Sequence, residues 1–508
     1  MPESKPNILF LLTDQQRPDS LGCYGSKAAL TPHIDSLADG GVVFDNCYVQ
    51  NPLCCPSRYS MLTGRYPHSH RVRANWYAPR QGEVSFGEQL GRAGYTTSMI
   101  GKMHLTPWYD NFGFDGRIIA EAKFHTSCPD DYQRFLELNG WSRDRLYDFS
   151  DPAYAENLTA VKSRLPAELH IDSFVGRSVC EYLRNVDKPF CCFASFLSPH
   201  NPYDPPEPYD SLFDGVEFPP VNIRPGEIDE KPREAYDYIN SRLKWPFKTD
   251  ELSGEQIRKS KSYYYATSTL IDDWVGRIVE TLKEQGLYEN TVIVYSSDHG
   301  DLLGDHGLIY KQSFYEQSVR VPLIVHAPHL YRAKRIDDLV ESIDLFPTFC
   351  ELGGAMSGEG VQGRSLLPVL TRAGGDDENQ QKHRDAAFSE NYFGRMIRYG
   401  SYKMVYYPGK PYGELYNLED DPDEQENLWD RLEGSSIKRE LKDRLLEWAF
   451  TSEDPLPLPV RPDHQDMTPR QFELYRGGTR EKSIQPWHIN KLQSLYESWD
   501  FSEEGILR

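Results

Sequence analysis

The run Asn51-Pro52-Leu53-Cys54-Cys55-Pro56-Ser57-Arg58-Tyr59-Ser60-Met61-Leu62-Thr63-Gly64-Arg65 is the stretch on which the reading of this chain turns. It contains Cys-x-Pro-Ser-Arg, from Cys54 to Arg58. Pro56 suits the first position of a helix, where its missing N–H costs nothing and its fixed φ is already helical. Ser57 to Leu62 continue the helix, and Gly64 ends it. Cys54 and Arg58, four residues apart, then lie on one face. A reactive side chain at a positive helix N-terminus, with a guanidinium beside it, suits binding and attack on a tetrahedral oxyanion.

Outward from this run, short apolar segments alternate with amphipathic ones, as in an α/β chain. Residues 7–13 read as a buried parallel strand that ends at Asp14-Gln15. Residues 42–50 alternate as a strand leading into the Cys54 run. Residues 85–93 form a short helix closed by Gly94. Residues 95–100 form a strand that delivers Gly101-Lys102-Met103-His104-Leu105. Lys102 and His104, two apart in an extended chain, are expected to project from one face. After a helix over 168–185, residues 189–197 form a buried strand ending at Ser198-Pro199-His200-Asn201-Pro202-Tyr203, with Cys191 and Cys192 as core residues. A long helix spans 259–283. A last apolar strand, 290–297, ends at Asp298-His299-Gly300-Asp301, and Lys311 follows shortly. In open α/β sheets chemistry collects at the carboxyl ends of strands, so Asp14, at the end of the first strand, is a candidate site residue. Asp14 is placed there to bind a metal, although capping of the next turn is the plainer alternative. The aromatic segment 106–132 (Trp108, Tyr109, Phe112, Phe114) is either part of a substrate wall or ordinary loop packing. His306 is a rim residue or a structural one.

These motifs, in this order, resemble the type I sulfatases, formylglycine-dependent enzymes of the alkaline phosphatase superfamily. The resemblance runs over roughly residues 6–430 and includes Arg65-Tyr66-Pro67-His68, Gly101-Lys102-x-His104-Leu105 and Pro199-His200-x-Pro202-Tyr203. It implies a large mixed, mostly parallel sheet flanked by helices, with a smaller C-terminal α+β subdomain. It also implies that Cys54 is oxidised to formylglycine, whose hydrate is the nucleophile on a sulfate monoester. Asp14, Gln15, Cys54, Asp298 and His299 would hold one divalent cation. Arg58, Lys102 and Lys311 would hold the sulfate oxygens. Asp298 would accept the diol proton, and His104 would act on the diol. His200 or Lys311 would relieve charge on the leaving oxygen, the two not being separable at this level. The common ligand pairs of the family are two acids at the first strand and Asp-Asn at the later one. Gln15 and His299 depart from them and look more like the choline-sulfatase and phosphonate monoester hydrolase branches. Ca2+ is the expected ion, with Mn2+ or Mg2+ as alternatives. The loss of one carboxylate and gain of one nitrogen make manganese more competitive.

Composition bounds the rest. The chain has 508 residues, 39% hydrophobic and 26% charged, enough for two domains with ample core. The boundaries expected are 1–375 for the catalytic domain, 376–455 for a subdomain with a small antiparallel sheet and a helix, and 456–508 for an extension. That extension is a candidate homo-oligomer contact. A net charge of -21 disfavours nucleic acid and anionic membrane as partners. No apolar run approaches a membrane span. The first apolar run is too short for a signal peptide, and nine cysteines, an odd number, do not make a disulfide framework, so a cytoplasmic enzyme is expected. The partners implied are a small sulfate ester (sugar, aryl or alkyl) and a formylglycine-generating enzyme. Cys-x5-Arg phosphatase chemistry is excluded, because Ser60 and Met61 stand six residues after Cys54 and Cys55. No Gly-x-Ser-x-Gly elbow, Walker loop or zinc spacing is present. Two rivals stay open: the same site acting on phosphonate monoesters or phosphodiesters, and a silent fold-mate that binds a carbohydrate or a partner.

Overall fold

Continuous apolar strands persist only where both faces of a sheet are covered, and the sheet built here covers both. The computed structural model describes residues 5–453, apart from 125–129, 149, 187–188, 225, 228–251, 328 and 373–381. Its main sheet contains β1 (Asn7–Asp14), β2 (Val42–Tyr48), β3 (Thr96–Gly101), β4 (Gly116–Ile119), β5 (Phe190–Pro199), β6 (Thr291–Ser297), β7 (Arg320–His326) and β8 (Lys334–Glu341). The spatial order is β4-β3-β5-β1-β6-β7-β2-β8. Five of the seven pairings are parallel, and only β6–β7 and β2–β7 are antiparallel. This is the mixed, mostly parallel sheet that the sequence predicts.

Alternate residues of β1 serve opposite layers. Ile8, Phe10 and Leu12 pack with α2 (Cys54–Thr63), α4 (Phe86–Arg92) and the helix Leu345–Gly353. Leu9 and Leu11 pack with α1 (Pro32–Asp39) and the helices Ile171–Asn185 and Gly254–Glu284. The carboxyl ends of β3, β5, β1 and β6 lie side by side, and Asp14 registers with Pro199.

A second, antiparallel sheet has the order β12-β11-β10-β9, from β9 (Ala386–Glu390), β10 (Arg395–Tyr399), β11 (Tyr402–Tyr406) and β12 (Gly413–Asn417). β10 and β11 are joined by a turn at Gly400, whose φ is +56°. The helix Ser436–Thr451 lays Trp448 flat on Phe388 at 4.8 Å. All described cysteines are free. The extension 456–508, with its expected oligomer contact, lies outside the described residues.

Candidate active site

Cys54 is the first residue of α2, capped by Leu53, so Pro56 stands third in the helix and not first. The position is still tolerated, because the N–H groups of the first turn have no carbonyl to reach. The first intrahelical bond is Ser57 N to Leu53 O, at 3.0 Å. Cys54 Sγ lies 3.2 Å from His299 Nε2, 3.1 Å from Lys311 Nζ and 3.9 Å from Asp14 Oδ1. Burial pushes this thiol up, but Lys311, Lys102 and His299 outweigh it and hold it well below the usual range.

The carboxylates at the ends of β1 and β6 each turn one oxygen inward and have the other tied back. Asp14 Oδ2 takes Arg58 Nη2 at 3.1 Å and Lys102 Nζ at 2.7 Å. Asp298 Oδ2 takes Arg58 Nε at 2.8 Å. Asp14 Oδ1 is left facing Cys54, with His299 Nε2 at 3.8 Å. Asp298 Oδ1 faces His299 Nε2 at 3.5 Å and accepts Gln15 N at 3.0 Å. Burial and Cys54 push the Asp14 carboxyl up, but Lys102, His200 and Lys311 hold it well below the ordinary range. Burial and the neighbouring Asp14 raise Asp298.

Arg58 is fully buried. Besides the two carboxylates, it donates to Lys102 O and to Ser195 Oγ. Four of its five N–H groups are therefore spent inside the protein. With these bonds Arg58 braces the two carboxylates, and one N–H is left over for the expected contact with sulfate.

Lys102 and His104 do reach one centre, but not along an extended strand. β3 stops at Gly101, whose φ is +96°; a Cβ there would sit 2.0 Å from Ser195 O. Three residues on, His104 takes a left-handed φ of 55°. This turn is what brings both side chains to Cys54. Desolvation lowers Lys102, but Asp14 and Cys54 hold the ammonium above its usual range. Against desolvation, Cys55 and the bonds to Cys54 and Cys55 raise His104 to about 9. His104 Nδ1 is buried without a partner. His200, at the end of β5, directs Nδ1–H at Asn201 O, 2.5 Å away, and burial together with Lys311 pushes it down to about 4.

The donor set fits a divalent cation. Ligand atoms of Asp14, Cys54, Asp298 and His299 all lie within 4.8 Å of one another. His299 gives Nδ1–H to Gly300 O at 3.0 Å, which turns Nε2 toward the other donor atoms, the orientation of metal-bound imidazoles. Gln15 Oε1 points to the same side and accepts Lys311 Nζ at 2.7 Å.

Several neighbours escaped sequence reasoning. Ser195 is one polar residue inside an apolar strand, with no local signal. Trp76 lies edge-on to the His104 ring at 5.0 Å and is 69% exposed, at the mouth of the site. Asp301 lay within a quoted motif but was given no role. Of the suggested aromatic wall, Phe114 is core beneath Phe86, and Tyr109 is exposed. His306 stacks on Tyr315 at 3.6 Å and pairs with Glu227 at 2.7 Å, which is a structural setting.

Residues 6–355 match the profile of the Sulfatase family, and residues 304–450 match "N-sulphoglucosamine sulphohydrolase, C-terminal". The Arylsulfatase of Clostridium perfringens (strain 13 / Type A) is 30% identical over 457 residues, covering 84% of this chain and 90% of the relative. The Choline-sulfatase of Rhizobium meliloti (strain 1021) is 26% identical over 513 residues, covering 98% and 94%. Among solved structures, the phosphonate monoester hydrolase of Agrobacterium radiobacter superposes with a TM-score of 0.76 at 24% identity, covering 88% of this chain and 96% of that one, which speaks to the fold.

Proposed function

The chain belongs to the sulfatase family of sulfate-ester hydrolases, and from that premise we propose that it cleaves a small sulfate monoester at Cys54, matured to formylglycine, with one divalent cation. The observation that carries this reading is the convergence of the Asp14, Cys54, Asp298 and His299 donor atoms within 4.8 Å, with Lys311 Nζ 3.1 Å from Cys54 Sγ and Lys102 Nζ 2.7 Å from Asp14 Oδ2. Asp14, Gln15, Asp298 and His299 would hold the cation. When present, the formylglycine hydrate supplies an oxygen nucleophile and the cation supplies Lewis acidity.

The chain's own residues do the rest. Arg58 keeps the two carboxylates turned inward. Lys102 and Lys311 face Cys54 and neutralise the sulfate oxygens. Asp298, its proton affinity raised by burial and by Asp14, takes the proton of the attacking hydroxyl. His104, beside Cys54, is assigned the proton whose removal lets sulfate depart, once formylglycine has replaced the Cys54 thiol whose bond helps hold the imidazole protonated. His200 is neutral and has already given Nδ1–H to a carbonyl, so Lys311 is the better donor to the leaving oxygen. Trp76, exposed over His104, offers a flat apolar surface to a ring on the leaving side. A formylglycine-generating enzyme would act on the 54–58 run before folding buries it.

The experiment is the mass of the tryptic peptide carrying Cys54 from protein made in its native host. A mass corresponding to the aldehyde is expected, and an intact thiol in active enzyme would sink the proposal. A second reading, hydrolysis of phosphonate monoesters or phosphodiesters by the same site, is favoured by the Gln15 and His299 pair. Relative turnover of an aryl sulfate and an aryl phosphonate separates the two.

A further inference from the structure

Gln15 replaces a carboxylate with a group whose two ends are chemically opposite. An amide is useful to a cation only if its oxygen, not its nitrogen, faces inward. What decides that orientation lies outside the site already described. Gln15 Nε2 donates to Asp301 Oδ2 at 2.5 Å. On the other side, Lys311 Nζ donates to Gln15 Oε1 at 2.7 Å. The backbone is pinned as well. Gln15 N donates to Asp298 Oδ1 at 3.0 Å, and Gln15 O accepts Tyr264 OH at 2.6 Å. These bonds hold a non-glycine residue at a φ of +72°, a conformation that persists only when its surroundings impose it.

Asp301 is built to be an acceptor and nothing else. It is fully buried. Its Oδ1 accepts Leu303 N and Tyr310 N, both at 3.0 Å. Its Oδ2 accepts Tyr203 OH at 2.6 Å together with the Gln15 amide. Four donors converge on two oxygens, so a carboxamide oxygen presented to Oδ2 would meet only lone pairs. We infer that Asp301 is the positioning residue that turns the Gln15 carboxamide oxygen into the cation cage, and that the negative charge missing at position 15 is thereby retained one layer further out. The inference rests on the metal site of the proposed function.

Charge-swap variants test it through cation binding to metal-stripped protein, by calorimetry with Ca2+ and with Mn2+. Asp301→Asn keeps an oxygen for the Leu303 and Tyr310 N–H groups but turns an N–H at Gln15. The Gln15 amide must then reverse, and affinity should fall about 10- to 100-fold. Gln15→Glu alone sets one carboxylate against another and should weaken binding, although it adds charge to the cage. In the Gln15→Glu background, Asp301→Asn supplies the missing donor and should tighten binding. The sign of the Asp301→Asn effect therefore reverses between the two backgrounds. An effect of the same sign in both, or none beside Gln15, would overturn the inference and leave Asp301 as a loop anchor only. If the metal-free thermal midpoint shows that Asp301→Asn does not fold, Gln15→Glu carries the test, and tighter binding by that variant overturns the inference. Wild-type protein that binds neither ion would overturn the metal site itself, and this inference with it.

Discussion

His200 and Lys311 are the two candidates for relieving charge on the leaving oxygen, and their hydrogen bonds separate them. The imidazole of His200, pushed down to about 4 by burial and Lys311, gives its N–H to Asn201 O, whereas Lys311 sets its Nζ 3.1 Å from Cys54 Sγ. Lys311→Ala should therefore lower kcat/KM by about 10^2 to 10^4 for esters with poor leaving groups. For activated aryl esters the loss should be much smaller. The dependence of rate on leaving-group pKa in the two variants checks this, and a steeper dependence in His200→Asn than in Lys311→Ala would reverse the assignment. Arg58 acts on a different quantity. It is buried between Asp14 and Asp298, and Arg58→Ala strands both carboxylates without their brace. A loss of about 3–5 kcal/mol in unfolding free energy is expected, since removing one partner leaves uncompensated buried charge. Metal-loaded protein should recover part of that loss, and urea titration with and without the cation reads it.

At the level of elements, α2 is held to the short helix after it, α3 (Pro67–His70), by one imidazole. His70 Nε2 meets Ser60 Oγ at 3.0 Å, and Nδ1 accepts Val72 N at 3.1 Å, so the ring is neutral. Burial pushes it down to about 3. The folded pKa is below the unfolded value near 6.5, so the contribution is fully present above about pH 6.5. It is lost as pH falls towards the folded value, because only the unfolded chain then takes up the proton. The full loss is on the order of 5 kcal/mol. His70→Gln keeps a donor and an acceptor but cannot titrate. Its stability, followed from pH 7 to pH 4, should decline less steeply than that of the wild type; parallel curves would refute the assignment.

At the scale of the whole molecule, the two sheets are joined by charge as well as by apolar packing. Lys403 of β11 is completely buried, and its Nζ reaches Glu316 Oε1 at 3.0 Å and also Glu424. Glu316 in turn accepts Tyr48 OH of β2 at 3.0 Å. Lys403→Met would leave two carboxylates facing each other, one of which must take a proton. A loss of about 3–5 kcal/mol is expected. Faster amide exchange should appear in β10 to β12 before β1 and β6. Exchange that rises uniformly in both sheets would argue against a local clamp.

Much of the fold was legible in the chain, for local reasons. Residues 8–12, 190–194 and 292–295 are apolar without interruption, and such runs suit a covered parallel sheet. The polar ending of the first run marks Asp14 as a site residue, and the resemblance to the sulfatases adds His200, Asp298 and His299. The Cys54–Arg58 spacing put both residues on one helical face, and the structure keeps them there. Side-chain allegiance was not legible. Arg58 could have faced the substrate or the protein, and only the approach of Asp14, Asp298 and Ser195, from three strands distant in sequence, turns its donors inward. The same holds for Lys102 and His104, which meet Cys54 through a left-handed turn that no period of residues announces. It holds again for Asp301, which sits 2.5 Å from Gln15 across 286 positions of chain. Local sequence determines which segments become strands and which residues end them, because that depends on burial and backbone preference within a few residues. The direction of each hydrogen bond at the site depends on which chains are brought together, and the tertiary structure alone decided that.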